Sequence, residues 1–262
     1  MAVIILVVSI GSLLYTSRNS LLYPVSSARA RPFTAALIDE VSAFLNQTTG
    51  LWQPLIPDPA FLNQTTSLLT LAGYKVDSYP PSSVTIDLLK RLPSMGYGIV
   101  VLRNHSTGFQ GDVISIVTSE LYTQDRYPFE QLTDQVVPVY LGVAKQTFFG
   151  ITPLFVRDSM QGFFQDSIIV MMGCTGLTNS EMAQAFVSRG AQVYVSWDQV
   201  VQAYRTDVST TIFWQQMISG HSVRDSTLIA TRDGPADPVY KSRLVFYPEN
   251  EGSMTLAVAA ST

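Results

Sequence analysis

The chain has 262 residues, a formal net charge of −4, 14% charged residues and a single cysteine. That length is ample for one large core, and a hydrophobic fraction of 47% excludes wholesale disorder. Sixteen Lys and Arg against twenty Asp and Glu exclude a strongly basic nucleic-acid binder, and one cysteine excludes an intramolecular disulfide or a cysteine-rich zinc site.

Residues 1–16, MAVIILVVSIGSLLYT, carry no charged side chain. Extended through Tyr23, a helix here measures about 34 Å, enough to span a bilayer core if Arg18 snorkels to a headgroup. The expectation is an N-terminal membrane anchor over 1–23 and a polar linker over 24–32. A cleaved signal peptide with Ala28-Arg29-Ala30 as the cleavage site is the alternative. Three N-x-S/T sequons, at Asn46, Asn63 and Asn104, favour an extracytoplasmic body. Arg18, Arg29 and Arg31 all follow the apolar segment and point the other way by the positive-inside rule, with no basic residue before it to compare.

From Phe33 the pattern is that of one α/β domain over 33–250, with a tail over 251–262. FTAALID (33–39) reads as a buried strand bounded by Pro32 and acidic residues. The heptapeptide AFLNQTT occurs twice, at 43–49 and 60–66, a local duplication around the 52–59 loop. Residues 61–71 read as a helix ending at Gly73, 75–79 as a strand, 84–92 as a helix, and 97–104 and 113–119 as strands. Residues 121–165 mix turns, a strand in VPVYLGV and a helix started by Pro153. Then come a strand at 167–173, a helix at 179–188 with Gly190 after it, a strand at 191–197, helices at 208–218 and 223–230, and a last strand at 244–247. Apolar strands alternating with helices predict a mostly parallel sheet covered on both faces. In such sheets functional groups sit just beyond the carboxyl ends of strands.

Two strand ends carry reactive side chains. The strand at 97–104 runs into His105, and the strand at 167–173 runs into Cys174, the sole cysteine of a chain with two histidines. If the strands are neighbours, the imidazole is placed to take the thiol proton and leave a nucleophilic thiolate. Backbone N–H groups around Gly173 and Ser106 would hold a developing oxyanion, and the helix starting near Asn179 would favour the thiolate if its N-terminus faces the sulfur. Asp112 and Asp207 are carboxylates available to orient a histidine. The competing readings are ordinary ones: a packing role for Cys174, a satisfied strand-end polar role for His105, core roles for Trp197 and Trp214, and a helix-capping role for Asp198. No GxSxG, HExxH or GxxxxGK[ST] motif occurs, and no cofactor or metal is implied.

A His at one strand end followed by a Cys at a later one resembles the caspase-like cysteine peptidases, the group of caspases, legumain, gingipain, clostripain and separase. IVMMGCTGLTNSEMAQAFVSRGAQVYVSWDQVV, followed by a helix and SGHSVRDS, resembles the caspase-like CHAT domains. The resemblance spans 33–247 and implies a three-layer α/β fold acting on protein or peptide substrates. It implies Cys174 as nucleophile, His105 as base, and Gly173 and Ser106 at the oxyanion site. It also implies Ser196, Trp197 and Asp198 beside the pocket for the residue before the scissile bond. Caspases carry Arg after the Ser-Trp pair and select acidic residues; Asp198 in that place implies Lys or Arg. The group usually has Gly after the His, where this chain has Ser106. Two other readings are a non-catalytic member of the fold within a membrane or cell-surface assembly, and a glutamine-amidotransferase-like thiol hydrolase using His221.

Overall fold

A computed structural model of the protein describes residues 31–41, 43–46, 51–54, 58–109, 113–142 and 144–258. The expected membrane segment, residues 1–23, lies outside the described residues, as does most of the linker. Among the described residues no helix is long and apolar enough to cross a membrane.

The chain opens with β1 (Thr34–Asp39), then a hairpin of β2 (Ala43–Asn46) and β3 (Leu51–Pro54), then α1 (Pro59–Leu71) and β4 (Lys75–Tyr79). The two copies of AFLNQTT part company here: Ala43–Asn46 of the first is strand, while the second lies wholly inside α1. Local context decides. Asp58 caps α1 by accepting from Phe61 N at 2.9 Å, and Pro59 occupies its first turn, whereas the first copy pairs Ala43 with Pro54 across the hairpin. Next come α2 (Ile86–Arg91), β5 (Ile99–Arg103), β6 (Ser106–Phe109), β7 (Val113–Leu121), α3 (Pro128–Leu132), β8 (Val136–Leu141), β9 (Gln146–Ile151) and α4 (Pro153–Asp158). The chain continues through β10 (Ser167–Met171), α5 (Glu181–Ser188), β11 (Ala191–Trp197), α6 (Ala203–Ile218), α7 (Val223–Asp233) and β12 (Leu244–Tyr247).

Six strands form the main sheet in the order β12-β11-β10-β5-β1-β4, parallel throughout except for the antiparallel β12. β5 and β10 are buried along their whole length, which explains their unbroken apolar runs. Alternate residues feed opposite faces. Ala36, Val100, Leu102, Ile169 and Met171 join α2, α4 and α5 in one core layer. Leu37, Val101, Val170, Val195 and Trp197 join α1, α6 and α7 in the other. The expected three-layer α/β sandwich is therefore present.

The structure also holds a second sheet that the sequence pattern did not announce, four antiparallel strands in the order β6-β7-β9-β8. Its Ile114, Ile116, Phe149 and Ile151 pack into the same core layer as α2 and α5. The helix expected at 208–218 begins earlier, at Ala203. Residues assigned to a tail are packed: Leu256 is buried, Val223 N donates to Met254 O at 2.8 Å, and the Tyr74 hydroxyl donates to Ala257 O at 3.1 Å.

From β1 the chain moves outward to β4, then returns past β1 to β5 and proceeds to β10 and β11. The crevice at the carboxyl ends of β1 and β5 is the switch point of the sheet, where α/β folds of this type leave room for a ligand.

Candidate active site

β5 and β10 are hydrogen-bonded neighbours with Met171 opposite Leu102. Cys174 and His105 each lie three residues beyond that pair, so parallel pairing carries both to one level at one edge. Both line a single cavity of about 140 Å³, together with Val41, Arg103, Met172, Gly173, Val201, Ala203 and Thr206 among others.

His105 is held from the β1 side. Glu40, next to the last residue of β1 and buried, accepts from the His105 backbone N–H at 2.7 Å, and the same Oε2 lies 3.0 Å from Nδ1. A carboxylate at Nδ1 keeps the proton there and leaves Nε2 as the basic nitrogen. Burial alone lowers the His105 pKa, but the charge and hydrogen bond of Glu40 outweigh it, and the net value lies above the ordinary one. Among the carboxylates expected to orient a histidine, Asp207 is otherwise engaged and Asp112 lies outside the described residues. Glu40 does it instead. Its signal in the sequence was the Asp39-Glu40 pair closing the apolar run TAALI at a strand's carboxyl end.

Beneath the imidazole lies a buried ion cluster. Arg103, 2% exposed, makes two contacts of 2.8 Å to the Asp207 carboxylate and one of 2.9 Å to Asp39. Burial raises the Asp207 pKa, and the Arg103 contacts only partly offset that. Asp207 comes from α6, so the cluster ties that helix to the ends of β1 and β5. Its value is geometric: removing one partner of such a cluster leaves uncompensated buried charge, at a cost of about 3–5 kcal/mol.

Cys174 sits on a constrained loop. Its Sγ donates to Val201 O at 3.3 Å rather than to the imidazole. Its carbonyl accepts from the Ser106 hydroxyl at 2.5 Å and from Thr175 Oγ1 at 2.7 Å. Thr175 has φ +58°, a left-handed conformation unfavourable for a β-branched residue, so the loop stores strain of about 1–3 kcal/mol. Thr175 N donates to Gln199 O at 2.9 Å, which helps hold that conformation. Gly173 is required by close approach: a Cβ there would lie 2.3 Å from Ser106 Oγ and 2.5 Å from Asn104 O.

The other expected site residues fall elsewhere. The Gly173 N–H points to the Met171 sulfur at 3.0 Å, and the Ser106 hydroxyl serves the loop rather than the cavity. Ser196 is fully buried and donates to Met171 O at 2.7 Å. Trp197 is fully buried in the core, with the Arg205 guanidinium over its ring. The Asp198 carboxylate is taken by Arg243, from its backbone N–H at 2.8 Å and from Nε at 2.9 Å. None of these three lines the cavity of Cys174. It is the first turn of α6, through Ala203 and Thr206, that flanks the cavity; no α5 residue does so. His221 is exposed between α6 and α7 and is not part of it. The Asn104 sequon is buried, with its amide nitrogen donating to Val117 O at 2.9 Å, so the folded domain offers no glycosylation site there; Asn63 is exposed.

No protein-family model and no curated protein sequence matches the chain. Among solved structures it is similar to the Arg-specific cysteine proteinase gingipain R, with a TM-score of 0.50 and 11% identity, over 86% of this chain and 48% of that one. The chain thus spans about half the length of gingipain R. At that identity the likeness is one of fold, and the fold is similar to that of a caspase-like cysteine proteinase.

Proposed function

We propose that the protein is a caspase-like cysteine peptidase in which Cys174 is the nucleophile, His105 the general base and Glu40 the group that orients it. The observation that carries this reading is the convergence of Cys174 and His105 on one cavity, with Nδ1 of the imidazole held by a buried carboxylate. Nucleophile, base and orienter are the three parts such chemistry needs.

In the proposed cycle the Cys174 thiol leaves Val201 O and gives its proton to His105 Nε2. The thiolate attacks the peptide carbonyl carbon, and the tetrahedral intermediate collapses as the C–N bond breaks. His105 returns the proton to the leaving amine. Water, deprotonated by His105, then cleaves the thioester to release the carboxylic acid and the thiol. The Cys174 N–H, which has no acceptor among the described residues, is the donor we assign to the oxyanion. Gly173 and Ser106 are not assigned that role, because their donors serve the loop. A preference for basic residues is not assigned to Asp198, whose carboxylate Arg243 holds.

The test is hydrolysis of a mixed peptide library by the wild type, by Cys174→Ala and by His105→Ala. Turnover in the wild type that both variants lose supports the reading. Equal residual activity in all three overturns it. One observation favours a second reading, a non-catalytic member of the same fold: the thiol donates to a backbone carbonyl and not to the imidazole. That reading expects folded, soluble wild-type domain with no turnover and no label from peptidyl electrophiles. We further propose, from the sequence alone, that residues 1–23 attach the domain to a membrane on its extracytoplasmic side. Protease protection in sealed vesicles tests this, and digestion from the cytoplasmic face would refute it.

A further inference from the structure

The cavity at Cys174 is small and walled mostly by apolar groups, and its charged neighbours are already committed. Its volume is about 140 Å³, against the 300–1,000 Å³ or so of usual ligand pockets. Val41 and Met172 are apolar walls, Val201 supplies the carbonyl that takes the thiol, and Ala203 and Thr206 close the side formed by α6. The cation on its lining, Arg103, is bound by Asp39 and Asp207, so it has little left for an acidic side chain, and those two carboxylates are taken up by it rather than offered to a basic one. The carboxylate that the sequence nominated to select a cation, Asp198, is bound by Arg243 and does not reach the cavity.

We infer that the residue placed at Cys174, the one whose carbonyl is attacked, is small and uncharged: Gly, Ala, Ser or a residue of similar size. This rests on the peptidase reading and names its substrate class. Val201 and Ala203 set the size limit, Val201 beside the sulfur and Ala203 at the first position of α6.

Peptide aldehydes test this without requiring turnover. Cys174 Sγ adds to the aldehyde carbon, the thiol proton passes to the carbonyl oxygen, and the reversible thiohemiacetal shields the sulfur. Protection of Cys174 from alkylation by iodoacetamide, read by mass spectrometry on the full chain, ranks aldehydes ending in Ala, Ser, Leu, Phe, Lys or Arg. The Ala aldehyde is expected to protect at concentrations at least about tenfold below those of Phe, Lys or Arg, the order of discrimination a tight apolar wall provides. Val201→Ala should improve Leu relative to Ala by about tenfold, and Ala203→Leu should weaken even Ala. Equal or better protection by Lys or Arg, or a Val201→Ala variant that shifts every aldehyde alike, overturns the size limit and leaves the peptidase reading standing. If no aldehyde protects the wild type, the peptidase reading falls and this inference falls with it.

Discussion

β10 and β11 are adjacent strands of one sheet, and each ends in residues that the sequence nominates for chemistry. The end of β10 opens on the Cys174 cavity, whereas the end of β11 is closed. The difference lies in what each strand has beside it. β10 pairs with β5, whose end meets the switch-point crevice, where the chain has left β1 for the opposite edge and the space above the strands stays open. β11 pairs instead with the returning β12, Trp197 opposite Leu244, and the Asp198–Arg243 contact seals the turn. A polar residue at a strand's carboxyl end is therefore a weak sign of a site unless the topology leaves the space above it open.

This contrast can be broken by substitution. Cys174→Ala at the open end should abolish peptide hydrolysis, a loss of about 10⁴-fold or more in kcat, measured with fluorogenic peptides on folded protein. Arg103→Met, in the floor of the open end, should cost about 3–5 kcal/mol in urea unfolding by leaving Asp39 and Asp207 buried without their cation. Glu40→Gln should lower kcat by about 10²-fold and move the His105 titration downward. With only two histidines in the chain, the NMR assignment is direct.

The pH sign follows from the raised His105 value. Because the folded pKa exceeds the unfolded one, the stabilisation from the charged imidazole is full below the unfolded pKa and is lost as pH rises through the folded pKa. The stability gap between wild type and His105→Gln should therefore shrink with rising pH across that window. A gap that stays flat would mean Glu40 does not hold the imidazolium. The smallest effect belongs to the closed end. Asp198→Ala should alter kcat/KM by less than about threefold and stability by about 0.2–1 kcal/mol, since Arg243 is largely exposed. A large activity loss there would return Asp198 to the site.

Much of the main sheet was readable in advance because its strands are continuous apolar runs between turn residues, and β1, β4, β5, β10 and β11 fall within about two residues of expectation. β6 and β9 were not readable. Ser106–Phe109 is short and half polar, and its strand character comes from pairing with β7, which local pattern does not encode. The repeated AFLN makes the same point more sharply, since the same four residues are strand at Ala43–Asn46 and helix within Pro59–Leu71 under different flanks. At the site, scarcity located His105 and Cys174: two histidines and one cysteine at strand ends carry information. Glu40 reads in the sequence as an ordinary strand-bounding acid, because its partner is 65 residues away. The Ser-Trp likeness beside Asp198 does not register the competing claim of Arg243 on its carboxylate.

The pairing of Leu102 with Met171 has a further consequence. Neighbouring strands stand about 4.8 Å apart, and each residue advances about 3.3 Å along its strand. The level at which the Cys174 and His105 backbones leave the sheet is thus inherited from backbone hydrogen bonds, with the sheet serving as a ruler marked in whole residues. Deleting one residue within β10 would offset Cys174 from His105 by one mark and turn the strand's side chains to the wrong faces. Side-chain evolution can retune what enters the cavity, while the backbone register beneath it changes only in steps that the core does not tolerate.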